Sequence, residues 1–401
     1  MADSAGAGAK APARPWTSDP LDWLIGPTSR EVFFDTYYER LPLVVSRDEP
    51  GRFRELLSIA AIDRLVASAD LREGMLDLAD ASREMSRQAY LMDGGVIDRG
   101  VIAHEYGRGA TIILQQLHQA DPTLAAFCRS MEALFSCHVQ TNIYLTPPNA
   151  QGFRTHYDNH DVFVIQVEGE KLWRFYNQPV DAPYRGERYE RGRYETGEIT
   201  AEFVMKAGDC AYVPRGLMHD ASTSGDQPSL HVTCGLIVKT WAELVLEAVS
   251  EVALKDPELR RSLPVGYARP DFDRSQMQAK FERLVGALPG KVAMDSAFEL
   301  MVDSFIRSRD PDVAGAIVTG AGAFDPAQRF VVRADAPWRL AEDGDDLVLI
   351  APGGDLDFKP EEAEAARRAM NGEPFAAADL NAPDPQAFIR KLRAFGVVRP
   401  A

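Results

Sequence analysis

Residues 152–176 read GFRTHYDNHDVFVIQVEGEKLWRFY, and the second half of that stretch sets the fold. DVFVIQVE (161–168) and EKLWRFY (170–176) are runs of β-branched and aromatic residues on either side of Gly169, a composition that suits strands on a pleated, buried surface. Glu168-Gly169-Glu170 reads as a turn between two antiparallel strands, and Ala207-Gly208-Asp209 as another. Working outward, QTNIYLTPP (140–148), AEFVMKAGDCAYVPRG (201–216) and SLHVTCGLIV (229–238) are further strand candidates. Several short strands at this spacing make a sandwich or barrel, of which the double-sheet jelly roll is one solution.

The first half of the stretch carries chemistry. On an extended strand, His156 and Asp158 at i and i+2 point to the same face, here the interior of the sandwich. His219 follows a strand and the turn Pro214-Arg215-Gly216, and qualifies as a third donor. Two imidazoles and one carboxylate cap one face of an octahedral ion and leave three adjacent positions open. Non-haem Fe(II) uses that arrangement to bind a bidentate 2-oxo acid and then O2. An HxD pair with a distant His is common by itself, and the same donors suit hydrolytic zinc. Lys171, just after the Gly169 turn, favours an oxo acid: its ammonium is placed to bind the distal carboxylate of 2-oxoglutarate, and a buried Lys without an anion is costly.

With these residues in order the chain resembles the Jumonji C oxygenases of the cupin-4 or ribosomal-oxygenase group, which hydroxylate residues of ribosomal proteins. The family's Asn-x-Tyr-x-Thr-Pro strand appears as Asn142, Tyr144, Thr146 and Pro147, its HxD pair as His156 and Asp158, its basic cosubstrate residue as Lys171, its distal His as His219, and the SLHVT strand supplies Thr233. The resemblance covers most of the chain. It implies Fe(II) on His156, Asp158 and His219, with 2-oxoglutarate and O2 as cosubstrates and Lys171, Asn142, Tyr144 and Thr233 in the cosubstrate site. It also implies an α+β chain with a double-stranded β-helix (jelly roll, cupin-like) catalytic domain, a helical dimerisation domain and an acidic C-terminal winged-helix domain. Human members carry a Ser-Thr-Tyr run soon after the last strand, where a Ser helps hold the target side chain. Here Cys234, Gly235 and Leu236 follow Thr233, which leaves the target open among histidine, arginine and other side chains.

Other histidines read more plainly. His160, at i+4 from His156, shares its nominal face, but one strand rarely bends three ligands onto one ion. His231 shares a face with Thr233 and reads first as a hydrogen-bonded core histidine, second as a pocket residue. His104, His118 and His138 have no ligand-like neighbours in sequence and read as structural. Trp173 and Phe175 follow Lys171 with period 2 and read as core aromatics, and Tyr157 as packing on the opposite face.

The remaining chain fixes boundaries: residues 1–16 as a disordered tail, 17–240 as the catalytic domain, 241–315 as the helical domain and 316–401 as the winged-helix-like domain. In QMQAKFERLVGAL, Met277, Phe281, Leu284, Val285 and Leu288 form one apolar stripe, read first as packing within the chain and second as a contact with a second copy; a homodimer is what the resemblance, with its helical dimerisation domain, implies. No apolar run approaches the roughly 20 residues of a membrane-spanning helix, no partner membrane is expected, and four cysteines without CxxC spacing fit reduced thiols in the cytoplasm. A formal charge of −16, with 13 Asp/Glu against 9 Arg/Lys in residues 330–401, argues against direct nucleic-acid binding and suits a basic protein partner. The expected function is hydroxylation of a protein side chain, a ribosomal protein being the favoured substrate. The alternatives are tailoring of a small peptide or natural product, lysine demethylation, and a non-catalytic cupin binding module, which would predict a broken triad.

Overall fold

The computed structural model describes residues 14–184, 186–320 and 324–401. Most of the expected tail, residues 1–13, lies outside the described residues, but its last residue does not behave as tail. Trp16 is fully buried, with its ring 5.0 Å from that of Trp23 and 6.1 Å from that of Phe127. An indole of that area is worth more inside a core than in water, whatever polar sequence precedes it.

The chain divides into two compact units, Met1–Val238 and Lys239–Ala401. The first holds β1 (Leu43–Val45), β2 (Leu76–Ala79), β3 (Thr111–Leu114), β4 (His138–Thr146), β5 (Asp161–Glu168), β6 (Glu170–Phe175), β7 (Ala201–Lys206), β8 (Cys210–Val213), β9 (His219–Ser222) and β10 (Ser229–Ile237). Seven of these form one antiparallel sheet in the order β1-β8-β5-β10-β4-β3-β2, and the other three form a second in the order β7-β6-β9. β5 is buried on both faces, which is why it reads as a continuous apolar run. Phe163 and Ile165 enter a core shared with Phe127 and Met131 of the helix Pro122–Phe135. Val162 and Val164 face the small sheet, packing with Trp173, Phe175 and Met205. This is a cupin-like double-sheet fold with helices on its outer face.

The two glycine turns differ from the hairpins expected. β5 and β6 lie in different sheets, as do β7 and β8, so each turn carries the chain from one sheet to the other. Both glycines have positive φ, 67° at Gly169 and 95° at Gly208. A Cβ at Gly169 would stand 2.1 Å from the Pro228 carbonyl oxygen, and one at Gly208 would stand 2.2 Å from that of Glu49. These glycines are required by close backbone approach as well as by conformation. All four cysteines are buried, and none forms a disulfide.

The second unit opens with the helix Trp241–Lys255, started by a capping box between Thr240 and Glu243. Helices Ser275–Ala287 and Met294–Arg307 follow, then β11 (Phe330–Val332), β12 (Arg339–Asp343), β13 (Asp346–Ala351), β14 (Gly354–Phe358), the helix Pro385–Ala394 and β15 (Val398–Pro400). β12-β13-β14 is an antiparallel meander, and β11 pairs with β15. The segments read as helical and terminal domains lie together here, joined by paired hydrogen bonds of Arg339 to Asp303 (2.7 and 2.6 Å) and Arg307 to Asp355 (2.8 and 3.1 Å).

Candidate metal centre

His156 and Asp158 are not on a named strand. They sit in the segment before β5, where NAQGFRTHYDNH (149–160) lacks the alternation of a strand. A backbone bridge ties them to the start of β9: the His156 N–H donates to the His219 carbonyl (3.1 Å) and the His219 N–H to the His156 carbonyl (2.8 Å). The Gly216 N–H also donates to the Asp158 carbonyl (2.9 Å), tying the third donor to the turn that precedes His219.

One donor atom from each of His156, Asp158 and His219 lies within 4.8 Å of the others, close enough for one ion. His156 Nδ1 is 2.9 Å from the Arg154 carbonyl oxygen and His219 Nδ1 is 2.9 Å from that of Leu217. Each Nδ1–H donates to a carbonyl two residues earlier, which fixes the tautomer that leaves Nε2 free to ligate. Those Nε2 atoms stand 4.0 Å and 3.7 Å from the Asp158 carboxylate oxygens. Burial, with His156 beside it, pushes His219 down to about 4 despite Asp158, so it is neutral at physiological pH. Burial works against charge on Asp158 as well, but the imidazoles of His156, His160 and His219 outweigh it and hold its pKa below the ordinary value. A carboxylate and a neutral imidazole are the protonation states a divalent ion requires of such donors.

Behind these donors a pocket runs between the sheets, lined by Tyr144, Lys171, Trp173, His231 and Thr233 together with the three donors. Lys171 is only 4% exposed. Burial alone pushes its pKa down to about 7, and among the described residues no carboxylate pairs with it. Two further polar atoms of the wall, Trp173 Nε1 and His231 Nδ1, are buried without a hydrogen-bond partner. His231 stacks on Tyr144 with ring centroids 4.8 Å apart and planes 7° from parallel. Burial, with Lys171 and His219 nearby, holds it well below the usual histidine range.

Of the residues singled out in the sequence, His156, Asp158, His219, Lys171, Tyr144 and Thr233 all contribute to this pocket. Asn142 shares a strand face with Tyr144, but its Oδ1 accepts from the Gln116 N–H (3.0 Å), and it is absent from the pocket wall. Lys171 stands on β6, which pairs with β7 and β9, so it adjoins the strand bearing His219 and not the HxD segment. His231 and Trp173, read first as core residues, line the pocket; Phe175 packs in the core between the sheets. The parity that places Trp173 on the Lys171 face was available in the sequence. His104 is exposed beside Glu105, and His118 Nδ1 accepts from the Thr141 N–H (3.2 Å).

Sequence reading missed Asp220. Its Oδ2 accepts from Thr155 Oγ1 and from the Tyr176 hydroxyl, both at 2.7 Å. It also missed the buried network in which Asp161 accepts from Tyr212 (2.7 Å) and Arg215, while Arg215 pairs with Glu39 (2.6 Å). Adjacency to His219 was the only sequence signal for Asp220.

Residues 113–244, spanning this pocket, match the family model of the JmjC domain. This part of the chain is a JmjC domain. The chain is 33% identical over 304 residues to the bifunctional lysine-specific demethylase and histidyl-hydroxylase NO66 of Drosophila mojavensis, covering 71% of this chain and 34% of the relative. To ribosomal oxygenase 1 of Gallus gallus it is 32% identical over 308 residues, 73% of this chain and 51% of the relative. The chain thus spans about a third to a half of the length of these JmjC relatives. Among solved structures it is similar to ycfD of Escherichia coli, with a TM-score of 0.55 at 15% identity, covering 93% of this chain and 98% of that one. The same ribosomal oxygenase in complex with cobalt and 2-oxoglutarate gives a TM-score of 0.53 at 14% identity, covering 94% and 99%. At such identity these structures establish the JmjC fold.

Proposed function

We propose that this JmjC chain is an Fe(II)- and 2-oxoglutarate-dependent oxygenase that hydroxylates a side chain of a polypeptide, with a ribosomal protein as the favoured substrate. The observation that carries the reading is the buried, unpaired ammonium of Lys171 at the inner end of a pocket whose outer end holds two imidazoles and a carboxylate. A cation at one end and an open metal site at the other fit a dicarboxylate with an oxo group, whereas a zinc hydrolase has no use for a buried lysine there.

His156, Asp158 and His219 would hold the iron. Lys171 would bind the distal carboxylate, and Trp173 Nε1 and His231 Nδ1, both without partners, are further polar groups facing the same space. Thr233 and the Tyr144–His231 stack would form the wall that aligns the oxo acid. Asn142 acts at a remove, by fixing the Gln116 turn. Iron and 2-oxoglutarate, when bound with O2, supply the oxidising equivalents through decarboxylation of the oxo acid to succinate and CO2. The protein's share is to neutralise the distal carboxylate and to keep His219 unprotonated by burial.

The substrate class is supported by the ribosomal oxygenase and histidyl-hydroxylase names of the relatives and by the acidic charge of the chain, which suits a basic partner better than nucleic acid. A homodimer through the second unit is supported by apolar side chains left in water: Trp241 is 82% exposed, Leu254 73%, Phe281 60% and Phe298 53%. The apolar stripe of helix Ser275–Ala287 is not buried within the chain, which favours a second copy as its cover. The meander and flanking helix of the terminal segment support a winged-helix reading, and four buried cysteines without a disulfide support a reducing, cytoplasmic location. The test is succinate formation by anaerobically iron-loaded protein exposed to O2 with a ribosomal-protein extract. Success is extract-stimulated turnover and a one-oxygen mass shift on one polypeptide, both lost in Asp158→Ala; no Asp158-dependent succinate would refute the reading.

A further inference from the structure

The pocket that holds Lys171 and the three donors is narrow, about 60 Å3, and a wider groove of about 620 Å3 lies beside it. The two meet at Gly152, Phe153 and His156, which line both. Gly152 has no side chain to move, and a Cβ there would stand 2.8 Å from Thr111 Oγ1, so its backbone lies close against β3. His156 is held in place by its Nδ1 bond to the Arg154 carbonyl and by its bridge to His219. By elimination, the benzyl group of Phe153 is the side chain at this junction with freedom to turn.

Its ring stands edge-on to Tyr144, with centroids 6.0 Å apart, and tilted against His156 at 5.5 Å. It therefore spans from the strand wall to the metal side of the pocket, yet 42% of the residue stays exposed. The backbone on either side of it is pinned. The Ala81 N–H donates to the Gln151 carbonyl (2.8 Å), Arg154 Nε donates to the Ala81 carbonyl (2.7 Å), and Thr155 is bonded to Asp220. With the backbone fixed and the ring held by two aromatic contacts, the junction opens by rotation of the Phe153 side chain between staggered rotamers, without displacement of the loop. An apolar ring in that place offers no hydrogen bond to water or to a carboxylate, so it obstructs both.

We propose that Phe153 is the gate of the inner pocket, a ring that shuts the 2-oxoglutarate site off from the groove and turns aside to let cosubstrate in and product out. The inference rests on the oxygenase reading above. It adds to that reading a residue that donates nothing to the metal and carries no charge. A gate slows passage in both directions alike, so Phe153 sets the rates of exchange and not the affinity.

The experiment mixes 2-oxoglutarate with full-length, Mn(II)-loaded protein in the absence of O2 and follows tryptophan fluorescence, since Trp173 lines the same pocket. The slope and intercept of the observed rate against 2-oxoglutarate concentration give entry and exit. Water access to the site is read separately, as relaxation of water protons by Mn(II) in the 2-oxoglutarate complex. In Phe153→Ala, entry and exit should both rise roughly tenfold, the scale of the two ring contacts that hold the gate shut. Water-proton relaxation should rise with them, while the affinities for 2-oxoglutarate and Mn(II) stay at their wild-type values. Phe153→Leu, which keeps an apolar plug, should fall between. Unchanged rates in Phe153→Ala would overturn the proposal. So would a rise in exit alone with a matching loss of affinity, the mark of a residue that merely packs on the cosubstrate, or a loss of Mn(II) affinity, the mark of a structural role. Absence of metal-dependent 2-oxoglutarate binding in the wild type would instead overturn the oxygenase reading on which the proposal rests.

Discussion

Thr155 donates a 2.7 Å hydrogen bond to Asp220, so the residue before one candidate ligand is tied to the residue after another. The Tyr176 hydroxyl donates to the same carboxylate oxygen at 2.7 Å. His156 and His219 are therefore clamped twice, by their reciprocal backbone bonds and by this side-chain bridge. Loss of groups that orient metal ligands costs about 10–100-fold in affinity. Asp220→Ala should weaken Mn(II) binding by that factor in anaerobic calorimetry, and Asp220→Asn, which keeps one oxygen acceptor, by less. Equal affinity in Asp220→Ala would mean that the backbone pair alone positions the imidazoles.

Lys171 makes a prediction about stability and pH together. Its pKa is depressed from 10.5 to about 7 by burial. Below about 7 the folded and unfolded chains both carry the charge, and the folded chain bears the full burial cost. Between about 7 and 10.5 the unfolded chain binds the extra proton, so stability rises with pH; above 10.5 the cost is gone. Lys171→Met should stabilise the ligand-free protein at pH 6 by about 1–4 kcal/mol, and the gain should vanish by pH 11. Urea unfolding across this range checks the sign. In the wild type, 2-oxoglutarate binding should weaken as pH climbs past 7, because the neutral amine no longer attracts a carboxylate.

Asp161 is fully buried and shares Arg215 with Glu39, in the turn that leads to His219. Removing one partner of a buried ion pair costs about 3–5 kcal/mol. Asp161→Ala should lose about that much in urea unfolding, whereas Tyr212→Phe, which removes one hydrogen bond to the same carboxylate, should lose about 1.5–3 kcal/mol. Comparable losses in both would show that the ion pair adds little.

Gly169→Ala combines a φ of 67° with a Cβ only 2.1 Å from the Pro228 oxygen. It should destabilise the first unit by at least about 2 kcal/mol in thermal unfolding. The wild-type stability of this variant would show that the corner relaxes freely.

The donors and Lys171 were legible in the sequence because residue chemistry and spacing survive translation into space even when the local structure is misjudged. His156 and Asp158 were placed on a strand and lie before one, yet still converge, because the bridge to His219 supplies the geometry the strand was expected to give. The Gly169 and Gly208 turns were legible as turns but not as corners. A hairpin and a sheet-to-sheet crossing share the same local residues, and only strand pairing separates them. Asn142 could not be sorted from Tyr144, since parity assigns a face and not a neighbour.

The most direct test of the central claim, that an oxo dicarboxylate lies between the triad and Lys171, is calorimetric titration of 2-oxoglutarate into anaerobic Mn(II)-loaded protein at pH 6.5. The account predicts metal-dependent binding in the wild type, no such binding in Asp158→Ala, and a loss of about 2–5 kcal/mol, roughly thirtyfold or more, in Lys171→Met, the usual effect of removing one member of a buried charge pair. Equal affinity in wild type and Lys171→Met, or binding indifferent to the metal, would contradict it.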